Sequence, residues 1–131
     1  REPLLWSLHL GYAWLGVGLL LNGVALLGVI PVTAGIHALT VGAISGLIVA
    51  VSSRAALGHT GRALTSHPLL TSTFVFINLA ACTRVLAALF PGAQILFFIS
   101  AFSWFIAFAT YFLRYFPILL FPKEISVQDG N

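Results

Sequence analysis

The side chains of this 131-residue chain that could bind a metal are its histidines. Imidazole is a common ligand of iron, copper and zinc, and the chain has four such residues, His9, His37, His59 and His67. The acidic residues stand only near the two ends, and the single cysteine, Cys82, forms neither a CxxC pair nor a CxxCH haem-attachment motif. Any metal that the chain binds is therefore expected to be held by histidine, and the absence of a nucleophile or catalytic base in the pattern leaves any enzyme activity uncertain.

The composition places these histidines in a membrane protein. Of the residues, 60% are hydrophobic and 7% are charged, with a mean hydropathy of +1.05, whereas soluble domains average about 25% charged residues. The net charge of +3 comes from six basic and three acidic residues, which are too few and too scattered to indicate nucleic-acid binding. We therefore expect the chain to lie in a bilayer.

Four apolar runs are long enough to cross a bilayer, since a helical span needs about 20 residues. They cover residues 4–29, 34–53, 68–90 and 93–116. They predict an all-α membrane protein with four transmembrane helices in a bundle over residues 1–121, followed by a polar C-terminal tail at 122–131. Proline and glycine separate the runs, so we expect the spans to be broken only at their ends, the fourth at Pro117.

Small residues predict how the spans pack, because helices in lipid associate where small side chains let the backbones approach. The second span has such residues at every fourth position: Ala34, Ala38, Gly42, Gly46 and Ala50. The fourth span has a stripe that we interpret as its inward face: Ser100, Ser103, Ala107, Thr110 and Arg114. The first span offers two rows, one through His9, Ala13, Gly16, Leu20 and Gly23 and one through Gly11, Gly18, Asn22 and Ala25.

These faces exceed what a lone bundle of four helices needs. We therefore expect the chain to be a fragment of a larger polytopic protein, with the N-terminal spans of the same protein and membrane lipid as its partners. Two amides within the hydrocarbon depth, Asn22 and Asn78, are expected to bond neighbouring helices.

The depth of the histidines limits what they can share. His9 and His37 lie near opposite membrane surfaces, roughly 15 to 20 Å apart along the membrane normal. Two imidazole nitrogens on one iron must lie about 4 Å apart, so these residues cannot hold the same haem. An iron bound by His37 therefore needs its other ligand from elsewhere, and a structural role for His37 is the alternative. A copper site drawing on two of His9, His59 and His67 is geometrically possible, although no HxH or HxxxH spacing supports it.

Basic residues form a second candidate site in the LGHTGR segment. Arg54, His59, Thr60 and Arg62 gather donors that would suit a carboxylate or a phosphate. The bound group could be a cofactor carboxylate or a lipid head group, and a plain turn is the alternative. Arg84 lies about a turn and a half inside the third span, where it could reach the interface along its own stem or act at a buried anionic group.

The chain resembles the NnrS family of bacterial membrane proteins. The resemblance is in LHLGYAWL around His9, HALTVGAI around His37 and RAALGHTGR around Arg54, and it continues through Arg84. It implies a multi-pass protein of the bacterial inner (cytoplasmic) membrane that contains haem b and copper and is linked to denitrification and nitric oxide stress, of which this chain is the C-terminal part. On this interpretation the cofactor-binding residues are His37, Arg54, His59, Arg62 and Arg84, and the metal ligands are His37 and His9.

The rival interpretation is a metal-free segment of a polytopic transporter or scaffold. Its small-residue faces would serve helix packing, and its polar residues would line a path. Transporters of this class have helices broken at mid-membrane depth. Spans broken only at their ends would therefore favour the haem protein.

The distribution of Lys and Arg predicts the topology. With the N-terminus in the cytoplasm, all basic residues except Arg84 fall on the cytoplasmic side, while the turns at Pro31 and Pro91 lie outside. Reporter fusions after Gly35 and after Gly92 should therefore read as external. An external reading from a fusion within residues 58–65 would contradict this topology.

Overall fold

The protein is a set of long helices in the computed structural model, which describes residues 3–65 and 67–121. The elements are α1 (Pro3–Leu26), α2 (Val32–His37), a π-helical segment (Ala38–Ile44), α3 (Ser45–His59), α4 (Pro68–Leu89) and α5 (Gln94–Leu120). The α2, π-helical and α3 segments follow without a break as the second span, Val32–His59. Four helices are long and apolar enough to cross a membrane, which confirms the predicted all-α membrane fold. The predicted tail at 122–131 lies outside the described residues.

Two spans extend beyond their predicted ends. The second continues past residue 53 to His59, because a helix need not stop where its apolar run stops, and Ala55, Ala56 and Leu57 are good helix formers. The fourth passes through Pro117 to Leu120. A proline removes one donor and leaves one earlier carbonyl unpaired, which a helix can accommodate near its end.

The second span ends in a glycine stop. Gly61 has a φ of 63°, a left-handed conformation that costs glycine little. The amide of Arg62 donates to the carbonyl of Leu57 at 2.9 Å, and that of Gly61 donates to Gly58 at 3.2 Å. This pair of bonds is the Schellman arrangement that satisfies the last carbonyls of a helix. Gly58 still belongs to α3, which ends at His59.

Contacts between successive spans show that they run antiparallel. Gly11 lies against Leu47, whereas Gly18, further along α1, lies against Leu39. In the same way Thr73 bonds Thr110 at 2.9 Å, and Ser100 donates to the carbonyl of Ala80 at 2.9 Å. The connections at 27–31 and 90–93 therefore lie at one end of the bundle, the hairpin end, and the connection at 60–67 lies at the other, the basic end.

The second span and α4 are the central helices of the described bundle. They are the most buried of the four, while α1 and α5 expose most of their length. The predicted inward stripe of α5 is buried at Ser100, Ser103 and Ala107, which confirms that face. The outer faces of α1 and α5 are apolar and uncovered by other described residues.

Glycines bring α1 and the second span into close contact. A Cβ atom at Gly18 would lie 2.4 Å from the Leu39 side chain, and one at Gly42 would lie 2.5 Å from the ring of Trp14. The row of α1 that faces the second span is thus the one through Gly11 and Gly18. The alternative row through His9 points away, since nothing lies within 4 Å of a Cβ at Gly16 or Gly23.

The π-helical segment keeps the small residues of the second span on one face. In a regular helix of 3.6 residues per turn, a row at four-residue spacing drifts by about 40° at each step. In the π-helical segment each hydrogen bond spans five residues, so a turn contains more residues than in an α-helix. The wider turn offsets this drift. All of the row from Ala34 to Ala50 is consequently buried. The second span remains one continuous helix over Val32–His59, in which the hydrogen bonding changes from α to π at Ala38–Ile44.

The two intramembrane amides differ. Asn78 accepts a hydrogen bond from the Trp14 indole at 2.8 Å and so joins α4 to α1, as predicted. Asn22 donates to the carbonyl of Gly18 in its own helix at 3.0 Å, while its side chain lies against Gly35. Its predicted bond to a neighbouring helix is therefore not formed among the described residues.

The close contact over Gly42 yields a test. Gly42→Ala should lower the free energy of unfolding by about 1 to 3 kcal/mol, because the added methyl group overpacks the Trp14 ring and strains its bond to Asn78. Gly46→Ala is the matched control, since the nearest atoms lie 4.0 Å from its Cβ position. Chemical unfolding in detergent followed by circular dichroism measures both, and equal stability of the two variants would contradict this packing.

Candidate functional site

His37 is the last residue of α2 and immediately precedes the π-helical segment. Its side chain is half-buried beside Ala34 and Ala38, which pack against Val85 of α4. It makes no capping hydrogen bond to the segment that follows. The structural role anticipated as the alternative, a cap or a bond to a carbonyl, is thus absent within the described residues, and the imidazole nitrogens remain available.

Arg84 lies at the same end of the bundle on α4. Its guanidinium sits over the ring of Phe97, 4.6 Å from the centroid. Val85, the next residue along α4, packs against Ala34 and Ala38, the residues beside His37. The structure therefore brings these two predicted site residues together at the hairpin end. No aspartate or glutamate occurs among the described residues, so no described carboxylate neutralises Arg84.

The other predicted site residues lie toward the basic end. Arg54 and His59 are exposed on the last turns of α3. His9 is exposed on the outward face of α1, and its Nδ1 lies 2.8 Å from the carbonyl oxygen of Leu5 in the same helix. A helix rises about 1.5 Å per residue, so His37 and His59 lie about 30 Å apart along the second span. One haem cannot contact both ends.

The donors of the LGHTGR segment serve the ends of helices. Arg62 donates to the carbonyl of Phe121 at 3.1 Å and so holds the end of α5. Thr60 donates to the carbonyl of Ala56 at 2.7 Å. These bonds match the alternative interpretation of the segment as a turn. Of the basic residues in this candidate site, Arg54 and His59 make no bond to another described residue.

His67 has a structural role at the start of α4. Its Nδ1 accepts a hydrogen bond from the amide of Leu69 at 3.2 Å, ahead of Pro68 at the first helical position. This is the geometry of an N-cap. The described residues contain no group of three or more histidine, cysteine or acidic side chains that could hold a metal ion.

Sequence reasoning missed a polar cluster toward the basic end, between the second span and α5. Tyr111 donates to the hydroxyl of Ser52 at 2.9 Å and stacks on Tyr115. Tyr115 and Ser53 are buried close together, yet neither hydroxyl makes a well-formed hydrogen bond among the described residues. The serine pair before Arg54 and the tyrosines around Arg114 were the available signal, but their alignment depends on how the two spans pack.

Comparison with known families supports the resemblance read from the histidine motifs. Residues 1–123 match a protein-family model described as NnrS protein. No curated protein and no solved structure matches the chain.

Because Arg62 bonds the end of α5 and Arg54 does not, substitution of the two residues should affect amide hydrogen exchange there differently. Arg62→Gln should cost about 1 kcal/mol of local stability, because it removes the bond to the carbonyl of Phe121, and should speed amide hydrogen exchange at residues 118–121. Arg54→Gln makes the same change of charge eight residues earlier in the chain. It should leave the exchange at residues 118–121 unchanged. The same exchange rates in both variants would show that Arg62 does not hold α5.

Proposed function

The chain belongs to the NnrS family, and from that premise we propose that His37 supplies an axial ligand to a haem at the hairpin end. The site would belong to an NnrS-type protein of the bacterial inner membrane that is linked to denitrification and nitric oxide stress. The observation that carries the proposal is the His37 imidazole, which is half-buried in a membrane span and makes no capping bond.

An unbonded imidazole at this depth needs a partner. Polar groups in hydrocarbon are costly unless they are bonded, and ionisable residues within spans usually mark functional sites. The π-helical segment that starts at the next residue also supports a functional role for His37, because π-helical turns are frequent at functional sites. His37 is also tightly placed, since the Ala34 and Ala38 positions on either side are fully buried.

The residues present fit one side of a non-covalently bound haem. His37 offers one nitrogen ligand, and with a single cysteine the chain has no pair of thiols for covalent attachment. Any further ligand to the iron would come from outside the described residues. When bound, haem iron supplies a centre for binding diatomic molecules or transferring electrons, which the protein tunes through its axial ligand and surroundings.

The chain's own residues would hold this group by position and by exclusion of water. The packing of Ala34 and Ala38 against Val85 fixes the imidazole relative to α4, and Trp14 closes the neighbouring contact with α1. His9 and the basic pair Arg54 and His59 are too far away to contact a haem on His37. Any copper held by His9, or any acidic group held by Arg54 and His59, would form a separate site.

Replacement of His37 tests the proposal. In the complete membrane protein, His37→Ala should remove most of the haem or alter its absorption spectrum, and added imidazole should restore the spectrum by filling the vacated position. His67→Ala is the control, because its ring caps α4 at the basic end, and it should leave the spectrum unchanged.

The rival function, a metal-free transporter or scaffold, predicts a different result. Its purified protein would lack a Soret band at every stage of preparation. A haem spectrum that is the same in the His37→Ala variant and in the unsubstituted protein would remove His37 from the iron and return it to helix packing.

A further inference from the structure

A cleft of about 320 Å³ lies between α4 and α5 on the outer surface of the described bundle. Its lining residues are Arg84, Phe97, Ser100, Ala101 and Trp104. Phe97, Ala101 and Trp104 are exposed, so the cleft opens toward the surrounding membrane.

The cleft contains a charge that lacks an anionic partner within the described residues. The guanidinium of Arg84 contacts the face of the Phe97 ring, and such a cation–π contact leaves the N–H groups at the guanidinium edge free to donate. No described residue is acidic. Ser100, whose hydroxyl donates to the carbonyl of Ala80, is neutral and cannot balance the charge. An arginine inside a span normally pairs with an anion or reaches the interface.

The level of the cleft in the bilayer indicates where such an anion comes from. Phe97 lies three residues inside the start of α5, which is about 5 Å from the helix end. The 27 residues of α5 extend about 40 Å, whereas the hydrocarbon core is about 30 Å thick. Arg84 is thus level with the boundary between acyl chains and head groups, where lipid phosphates lie.

We propose that this cleft binds the phosphodiester of an anionic phospholipid in the leaflet at the hairpin end, the outer leaflet on the predicted topology. Arg84 donates to the phosphate oxygens, for which its planar fork is well suited. An acyl chain lies along Phe97 and Trp104, which are exposed and continue the wall of the cleft toward the middle of the membrane. His37 is not part of the lining of this cleft.

Native mass spectrometry of the detergent-purified protein tests the site with phosphatidylglycerol as the probe. The unsubstituted protein should retain phosphatidylglycerol more strongly than zwitterionic phosphatidylcholine. Arg84→Gln should weaken phosphatidylglycerol binding about tenfold, through loss of a charge-assisted hydrogen bond. Arg114→Gln, the same change in α5 toward the basic end, should not.

A second variant keeps the test decisive if Arg84→Gln fails to insert. Ala101→Leu leaves the guanidinium in place and fills the exposed cleft, so it should also displace phosphatidylglycerol. Equal binding by both variants and the unsubstituted protein overturns the proposal. Displacement of the lipid by inorganic phosphate at equal concentration also overturns it, because the site would then bind the free ion. Loss of haem from Arg84→Gln with unchanged lipid binding overturns it too, because Arg84 would then bind a cofactor carboxylate.

Discussion

The arrangement of this bundle depends on the close approach of its first two spans. Gly11, Gly18 and Gly42 lie where a Cβ atom would overlap a side chain of the opposite helix. In lipid there is little hydrophobic force to bring helices together, so van der Waals contact and a few hydrogen bonds must hold them. The indole of Trp14 illustrates both, because it lies over Gly42 and donates to Asn78 of α4. One side chain thus links three spans.

The π-helical segment follows from the same constraint and connects it to the candidate chemistry. Small residues spaced at four would leave the contact face of a regular helix, and the wider turn of Ala38–Ile44 keeps them on it. The turn starts directly after His37, so the imidazole is held at the edge of the packed row without a cap. Arg84 faces the same end from α4. Arg54 and His59 lie about 25 to 33 Å from His37 along the second span, and Arg62 bonds the end of α5.

Much of this could be predicted from local sequence, because hydropathy fixes the spans and small residues fix the faces that pack. Features that depend on pairing between spans could not. The choice between the two glycine rows of α1 depends on which meets the second span, and the partner of Arg62 is 59 residues away. The four-residue spacing from Ala34 to Ala50 was a readable signal of the π-helical segment, since it departs from the 3.6-residue period. The lack of a hydrogen-bond partner for His37 could not be predicted from the sequence, because it depends on which side chains the neighbouring helices place beside the imidazole.

The central claim is that the chain places a haem iron at the hairpin end, beside His37. The natural cysteine allows a direct measurement, since Cys82 is exposed. Gly46 lies level with Ile77, which puts Cys82 about one turn from the level of His37. A nitroxide label on Cys82 of the haem-loaded, oxidised protein should show strong relaxation enhancement by the iron. A label at Ala63→Cys in a Cys82→Ser background, at the basic end, should show little. Equal enhancement at the two labels, or stronger enhancement at residue 63, would contradict the account.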